Sequence, residues 1–212
     1  MNAFDYNKVK NYKTYDALMP VAKVASRIAI KPNIIGLENV PKEGGFILAS
    51  SHITMLDPVH LGACFPLPIH FMGKEEAFAS KFTSWFFTKM NAFPVARGSA
   101  DKSSIEYAIK LVKEGYVLGI FPEGTRAKDY KPAHAKSGVA LIAKAAHADI
   151  LPVSIYTSDE AKFRSRLTIR FGEMIHYEEL GFSEEEHSSK ELKDASRLIM
   201  ERIVALWEKG HE

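Results

Sequence analysis

No stretch of this chain is apolar for the about 18 to 20 residues that a helix needs to cross a bilayer, so no spanning helix is expected. There is one cysteine, Cys64, which cannot form an internal disulfide; in its apolar stretch it reads as core packing. The opening residues carry no secretory signal, and a cytoplasmic, reducing setting is expected. An excess of one charge is also missing. Lys and Arg number 28 against 26 Asp and Glu, a net charge of +2, and there is no RNA or DNA motif, so nucleic acid is not expected as a partner. No Gly-x-Ser-x-Gly elbow offers an enzyme nucleophile. His60, His70, His134 and His147 lack spacings such as His-Glu-x-x-His, so neither a catalytic metal nor a cofactor is expected.

What is present is a chain of 212 residues, 46% hydrophobic, without low-complexity segments. Short apolar runs alternate with helical patterns. Strands are expected at 33–37, before residue 52, and at 68–72, 92–96, 117–120, 150–156 and 167–171. Helices are expected at 75–90, at 103–114 behind a capping box Ser103-x-x-Glu106, at 137–146 and at 191–208. This order predicts a single α/β domain with a mostly parallel or mixed central sheet flanked by helices, its site at the carboxyl ends of strands.

An N-terminal segment, 1–32, is set apart from a catalytic domain at 33–212. Residues 1–16 are polar and lysine-rich and are expected as a loose arm or short helix. Beyond them Leu18, Met19, Val21, Val24, Ala25 and Ile28 recur at helical spacing with Lys23 and Arg27 on another face. Such a helix either packs on the sheet or lies in a lipid interface. In the second case Lys8, Lys10, Lys13, Lys23, Arg27 and Lys31 would each gain about 1 kcal/mol from anionic headgroups.

Two segments carry chemistry. Ser51-His52-Ile53-Thr54-Met55-Leu56-Asp57-Pro58 follows the apolar run Phe46-Ile47-Leu48-Ala49. A strand-end histidine can act as a general base when a carboxylate orients its ring, and Asp57 is the candidate. On an ideal helix a five-residue step would splay the two side chains by roughly 140°, so they meet only across a loop or tight turn. The plainer alternative is that Asp57 caps a helix beginning at Pro58. Downstream, Phe121-Pro122-Glu123-Gly124-Thr125-Arg126 follows the run Val117-Leu118-Gly119-Ile120.

With both segments, and with Phe93-Pro94-Val95-Ala96-Arg97-Gly98 and Ile150-Leu151-Pro152-Val153 in order around the second, the chain resembles the glycerolipid acyltransferase family. The resemblance spans about residues 33 to 175 and is nearest to the bacterial 1-acyl-sn-glycerol-3-phosphate acyltransferases. Ser51 and Thr54 depart from residues common there, Asn and Ser, and bear on the choice of acceptor.

The resemblance implies transfer of a fatty acyl group from acyl carrier protein or coenzyme A to a lysophospholipid hydroxyl, at the inner face of the cell membrane. His52 would be the base and Asp57 its orienter. Lys74, Arg97 and Arg126 would hold the acceptor phosphate, an assignment that suits the guanidinium fork. Each is otherwise a solvated cation, and Lys74 adjoins Glu75 and Glu76. Glu123 is expected to orient Arg126 or meet a glycerol hydroxyl, Gly124 to allow close backbone approach, and Thr125 to cap or donate. Backbone N–H groups near Gly124 or after Asp57 could supply an oxyanion hole. Pro152 matches a position tied to the acyl donor, or is a strand-edge proline. Phe78, Phe82, Trp85, Phe86 and Met90 form a stripe that is either core or a wall for the acyl chain. Other acceptors (glycerol 3-phosphate, another lysolipid), a non-catalytic lipid binder and a thioesterase are the competing readings.

Overall fold

The computed structural model describes residues 4–96, 101–127, 129–183 and 188–212. Seven strands are joined in one sheet: β1 (Lys31–Ile35), β2 (Ile47–Ser50), β3 (Ile69–Lys74), β4 (Ala92–Val95), β5 (Val117–Ile120), β6 (Ile150–Tyr156) and β7 (Arg166–Phe171). Their order across the sheet is β1-β7-β6-β2-β5-β3-β4, with every pair parallel except antiparallel β6–β7. The helices are α1 (Lys13–Ala29), α2 (Asp57–Cys64), α3 (Lys81–Lys89), α4 (Lys102–Lys113), α5 (Gly138–Ala146) and α6 (Ser189–Glu208). This is the mixed α/β architecture expected from the alternation of strands and helices.

The sheet is buried on both faces, so its central strands are continuous apolar runs. Alternate residues divide between two cores. Ile47, Ala49, Leu118, Ile120 and Ile150 pack with Leu111, Ile142, Ile199 and Ile203 of α4 to α6. Phe46, Leu48, Ile69, Phe71, Leu151 and Val153 pack on the other face with Leu61 of α2.

Several expected details are corrected by tertiary contacts. The helix expected over 75–90 breaks into a 3-10 turn, Glu75–Phe78, and α3, because Ser80 caps α3 in a reciprocal box with Thr83. α4 is capped by Asp101 rather than Ser103; the Asp101 carboxylate accepts from Ser104 N–H at 3.3 Å and from Ala96 N–H at 3.1 Å, fastening the helix to the strand before it. The N-terminal arm is packed, not loose. Phe4 and Tyr6 meet Tyr107 edge-on, and the Tyr6 hydroxyl donates to Pro94 O at 3.1 Å. The boundary expected at residue 33 falls inside β1.

α1 turns Tyr15, Met19 and Ser26 inward. Tyr15 and Ser26 are buried, Tyr15 and Met19 lie against Gly62 of α2, and Ser26 Oγ bonds His60 Nδ1 at 2.7 Å. Its apolar stripe of Leu18, Val21, Val24 and Ile28 faces solvent, with Val21 64% and Val24 59% exposed. The stripe on α3 is likewise no core: Phe82 is 71% and Trp85 55% exposed, and only Phe78 of the group is buried. No helix among the described residues is long and apolar enough to cross a membrane.

Candidate active site

β2 and β5 are parallel neighbours, Ile47 opposite Leu118 and Ala49 opposite Ile120. Their carboxyl ends therefore lie side by side, and the two motif segments emerge from one edge of the sheet. A backbone bond fastens them, Ala127 N–H donating to His52 O at 2.8 Å. Arg126 is thereby held next to the loop that carries His52. β3 pairs with β5 on the other side, so Lys74 at the end of β3 shares this edge.

The turn from Ser51 to Leu56 lets His52 and Asp57 meet. His52 Nδ1 lies 2.8 Å from Asp57 Oδ2. Asp57 opens α2, yet Leu56 stands at the cap and no side chain caps the helix, so the plainer role expected for Asp57 is replaced by another. Its carboxylate turns back into the loop. It accepts from Ile53 N–H at 2.7 Å, Thr54 N–H at 2.8 Å and the Thr54 hydroxyl at 2.6 Å. With these donors converging on a fully buried carboxylate, Asp57 acts as the acceptor for His52 Nδ1–H. That tautomer leaves Nε2 with a lone pair. Nε2 has no hydrogen-bond partner among the described residues, and the His52 side chain is 13% exposed, so the ring is open to a substrate.

Sequence reasoning missed three further contributions. Phe121 stacks on the His52 ring, centroids 4.0 Å apart at 18°. Ser51 is buried and its Oγ accepts from Ile155 N–H at 2.9 Å, tying β2 to β6. Lys136 donates its backbone N–H to Pro122 O at 2.8 Å, and its side chain folds over Gly124. Ser51 and Thr54 thus both bond within the protein, Ser51 to Ile155 and Thr54 to Asp57. The position of Thr54 three residues before an acid was the one signal available; nothing in the sequence marks the stack.

Glu123 is 4% exposed. Burial raises its carboxyl to about 7, with the Ala133 and His52 N–H groups opposing the shift. One oxygen accepts from Ala133 N–H at 3.2 Å; Oε2 has no hydrogen bond among the described residues. No ion pair joins Glu123 to Arg126, which is exposed and makes no ion pair among the described residues. Gly124 sits at φ 70° in a turn closed by its own N–H to Phe121 O at 3.0 Å. That N–H is therefore unavailable to an oxyanion, as are the Ile53 and Thr54 N–H groups held by Asp57. Thr125 is exposed without a hydrogen bond among the described residues. Lys74 pairs with Glu76 at 2.8 Å. Arg97 lies outside the described residues.

Pro152 does not reach this edge. It is a buried mid-strand residue opposite Ala49, between β2 and β7, packed against Gly172 with its carbonyl accepting from Gly172 N–H. It is neither a strand-edge proline nor within the site, and the acyl-donor role expected for it finds no support in its place. Among the described residues no three His, Cys, Asp or Glu side chains are grouped to hold a metal. Two other histidines are drawn into the scaffold: burial lowers both, His70 to about 4, with its Nε2 2.8 Å from Asn11 Oδ1, and His60 bonds Ser26.

A family model described as Acyltransferase matches residues 31–156. The 1-acyl-sn-glycerol-3-phosphate acyltransferase of Bacillus subtilis is 36% identical over 143 residues, 66% of this chain and 71% of that protein. The protein of the same name from Streptococcus pneumoniae is 33% identical over 65% of this chain, which spans about half of its length (53%). The fold matches the crystal structure of the 1-acyl-sn-glycerophosphate (LPA) acyltransferase, PlsC, from Thermotoga maritima, with a TM-score of 0.70 over 94% of this chain and 83% of that one, at 22% identity.

Glu123 has a consequence for stability. The folded state keeps its proton up to about pH 7, while the unfolded chain loses it near 4.5. Stability therefore falls as pH rises from 4.5 through 7, and the penalty is complete above that. Glu123→Gln should gain about 1 to 3 kcal/mol on the wild type at pH 8 and much less at pH 4.5. Denaturant unfolding at the two pH values checks it; an equal difference at both would be the contrary result.

Proposed function

Because the chain belongs to the acyltransferase family and is an O-acyltransferase, we propose that it moves a fatty acyl group from an acyl thioester to the free hydroxyl of 1-acyl-sn-glycerol 3-phosphate, giving phosphatidic acid. The observation that carries the mechanism is the His52–Asp57 pair at 2.8 Å, with Nε2 free of hydrogen bonds among the described residues, on the edge that the Arg126 loop shares. The names of the relatives support the acceptor.

In this mechanism the acceptor hydroxyl gives its proton to His52 Nε2 as its oxygen attacks the thioester carbonyl carbon. Asp57, held by its other donors, stabilises the imidazolium through Nδ1–H and does not need to move. Collapse of the tetrahedral adduct breaks the C–S bond, and the departing thiolate takes the proton back from Nε2. The nucleophile belongs to the substrate, so no enzyme serine takes part.

Arg126, exposed and without an ion pair among the described residues, clamps the acceptor phosphate through its two-pronged guanidinium. Lys74 joins it by exchanging Glu76 for phosphate, a low-cost exchange because that pair is exposed. Arg97 is assigned to the same cluster from the motif alone. Glu123 anchors the loop through Ala133, and its second oxygen meets a glycerol hydroxyl; near its raised pKa the carboxyl does not carry a full charge against the phosphate. Gly124 and Thr125 shape the turn that presents Arg126. The donor is an acyl carrier protein or coenzyme A thioester, and no other cofactor takes part.

A lipid acceptor has to be met at a bilayer. Met55 (71% exposed) and Leu56 (53%) lie in the loop between His52 and Asp57, Val59 follows on α2, and α1, packed on α2, presents Val21, Val24 and Ile28 beside Lys23 and Arg27. This apolar and basic surface rests on the inner face of the membrane without crossing it, with the site at its border.

Thiol release measured with both donors, each against lysophosphatidic acid and glycerol 3-phosphate, tests the reaction. His52→Ala should lower turnover by about 10²- to 10⁴-fold, and near-normal turnover would remove the base. Arg126→Ala should raise the acceptor KM by about 10-fold or more; an effect on the donor KM alone would place the arginine in the other pocket. Thiol release without any acceptor would point to a thioesterase instead.

Val21→Asp with Val24→Asp should weaken sedimentation with anionic phospholipid vesicles by at least about 10-fold while leaving the thermal midpoint unchanged, since both side chains are already largely exposed. Unaltered vesicle binding would refute this surface.

A further inference from the structure

The His52 ring is held at Nδ1 by a hydrogen bond to Asp57. One bond at one ring atom acts as a hinge: it sets a distance but leaves the plane of the ring free to swing, and the outer torsion of a histidine is broad. A proton acceptor needs its lone pair aimed as well as placed. Something must therefore fix the plane.

Phe121 lies flat against the imidazole, centroids 4.0 Å apart at 18°. Phe71 lies behind Phe121, nearly parallel to it at 9° and 5.7 Å. Phe71 is itself a buried residue of β3, 7% exposed, so the stack is anchored in the core at its far end. The ring of Phe71 reaches this position by lying across β5 at Gly119, its register partner. A β-carbon on Gly119 would stand 2.4 and 2.6 Å from two Phe71 ring atoms and 2.7 Å from Ile69 Cγ2, contacts that real β-carbons do not make. The glycine of the run Val117-Leu118-Gly119-Ile120 is thus the space in which the stack is built.

We propose that Phe121 is a positioning residue for His52, that Phe71 backs it, and that Gly119 is required because it admits Phe71; together they hold the imidazole plane so that Nε2 meets the acceptor hydroxyl in line. This rests on the reading of His52 as the base. Phe121 touches neither the thioester nor the proton in this scheme, and acts only through the ring it supports.

Four proteins test it, followed by steady-state kinetics and by the low-field proton resonance of a histidine Nδ1–H bonded to carboxylate. His52→Ala identifies that resonance by removing it. Phe121→Leu keeps an apolar group and discards the flat face; it should lower kcat by about 10- to 100-fold, leave both KM values within about twofold, and broaden the resonance. Phe121→Tyr restores the face and should retain most of kcat and a sharp resonance. Gly119→Ala, whose new methyl group meets Phe71 and Ile69, should lower kcat in the same direction as the Leu variant.

A Leu variant with wild-type kcat and an unchanged resonance overturns the proposal. Should that variant fail to fold, Gly119→Ala decides: wild-type kcat with a sharp resonance overturns it, and reduced kcat with a broadened one supports it. If the wild type transfers no acyl group to any acceptor, the reading of His52 as base has failed; the resonance in the Leu, Tyr and Ala variants then still shows whether Phe121 and Phe71 hold the ring.

Discussion

The parallel pairing of β2 with β5 is the constraint on which the site depends. Two segments separated by some seventy residues in sequence are brought within a hydrogen bond of one another because their strands are neighbours pointing the same way. Hydrogen bonds along a parallel pair fix register as well as adjacency, and a shift of one residue would turn every side chain to the opposite face. Burial on both faces makes that register specific. Ile47 and Leu118 face one set of helices while Leu48 faces α2, and neither strand could slide without moving an apolar side chain out of its core.

The two acidic residues at this edge show how environment separates groups of one chemical type. Asp57 is buried with the Ile53 and Thr54 N–H groups, the Thr54 hydroxyl and His52 Nδ1 around its carboxyl oxygens. Glu123 is buried with Ala133 N–H on one oxygen and, among the described residues, no hydrogen bond on the other, and burial holds its proton to about pH 7. In the proposed mechanism these two carboxyl groups serve opposite ends of one acceptor, Asp57 beside His52 and Glu123 beside Arg126.

The outer surface follows a different logic from the core. In α1 the aliphatic residues Leu18, Val21, Val24 and Ile28 point away from the protein while Tyr15, Met19 and Ser26 turn inward, because Gly62 admits Tyr15 and Met19 closely and Ser26 completes a bond to His60. An apolar stripe left uncovered on α1, with further exposed aromatics on α3, costs solvation in water and is recovered only against another apolar phase. The fold thus sets aside hydrophobic surface near its site instead of investing all of it in the core.

Much of this was legible in the residues. Alternation of apolar runs and helical patterns determined the α/β class, and the runs before His52 and before Phe121 determined that both motifs follow strands, because local periodicity depends on near neighbours in sequence. The pairing of His52 with Asp57 was read from the motif, and the 2.8 Å contact between them agrees with it. The strand order and the antiparallel pairing of β6 with β7 were decided by contacts between distant segments, while the caps at Ser80 and Asp101 and the inward turn of Asp57 depend on the exact path of the local backbone. Periodicity identified the stripes of α1 and α3 as amphipathic but could not say which side would be covered, since an apolar face looks alike whether it meets a core or a membrane. Only the tertiary structure, by filling the space under α2 with Tyr15 and Ser26 and by stacking Phe121 on His52, decided which face was left free and which ring was held, because both outcomes depend on volumes and distances across the fold.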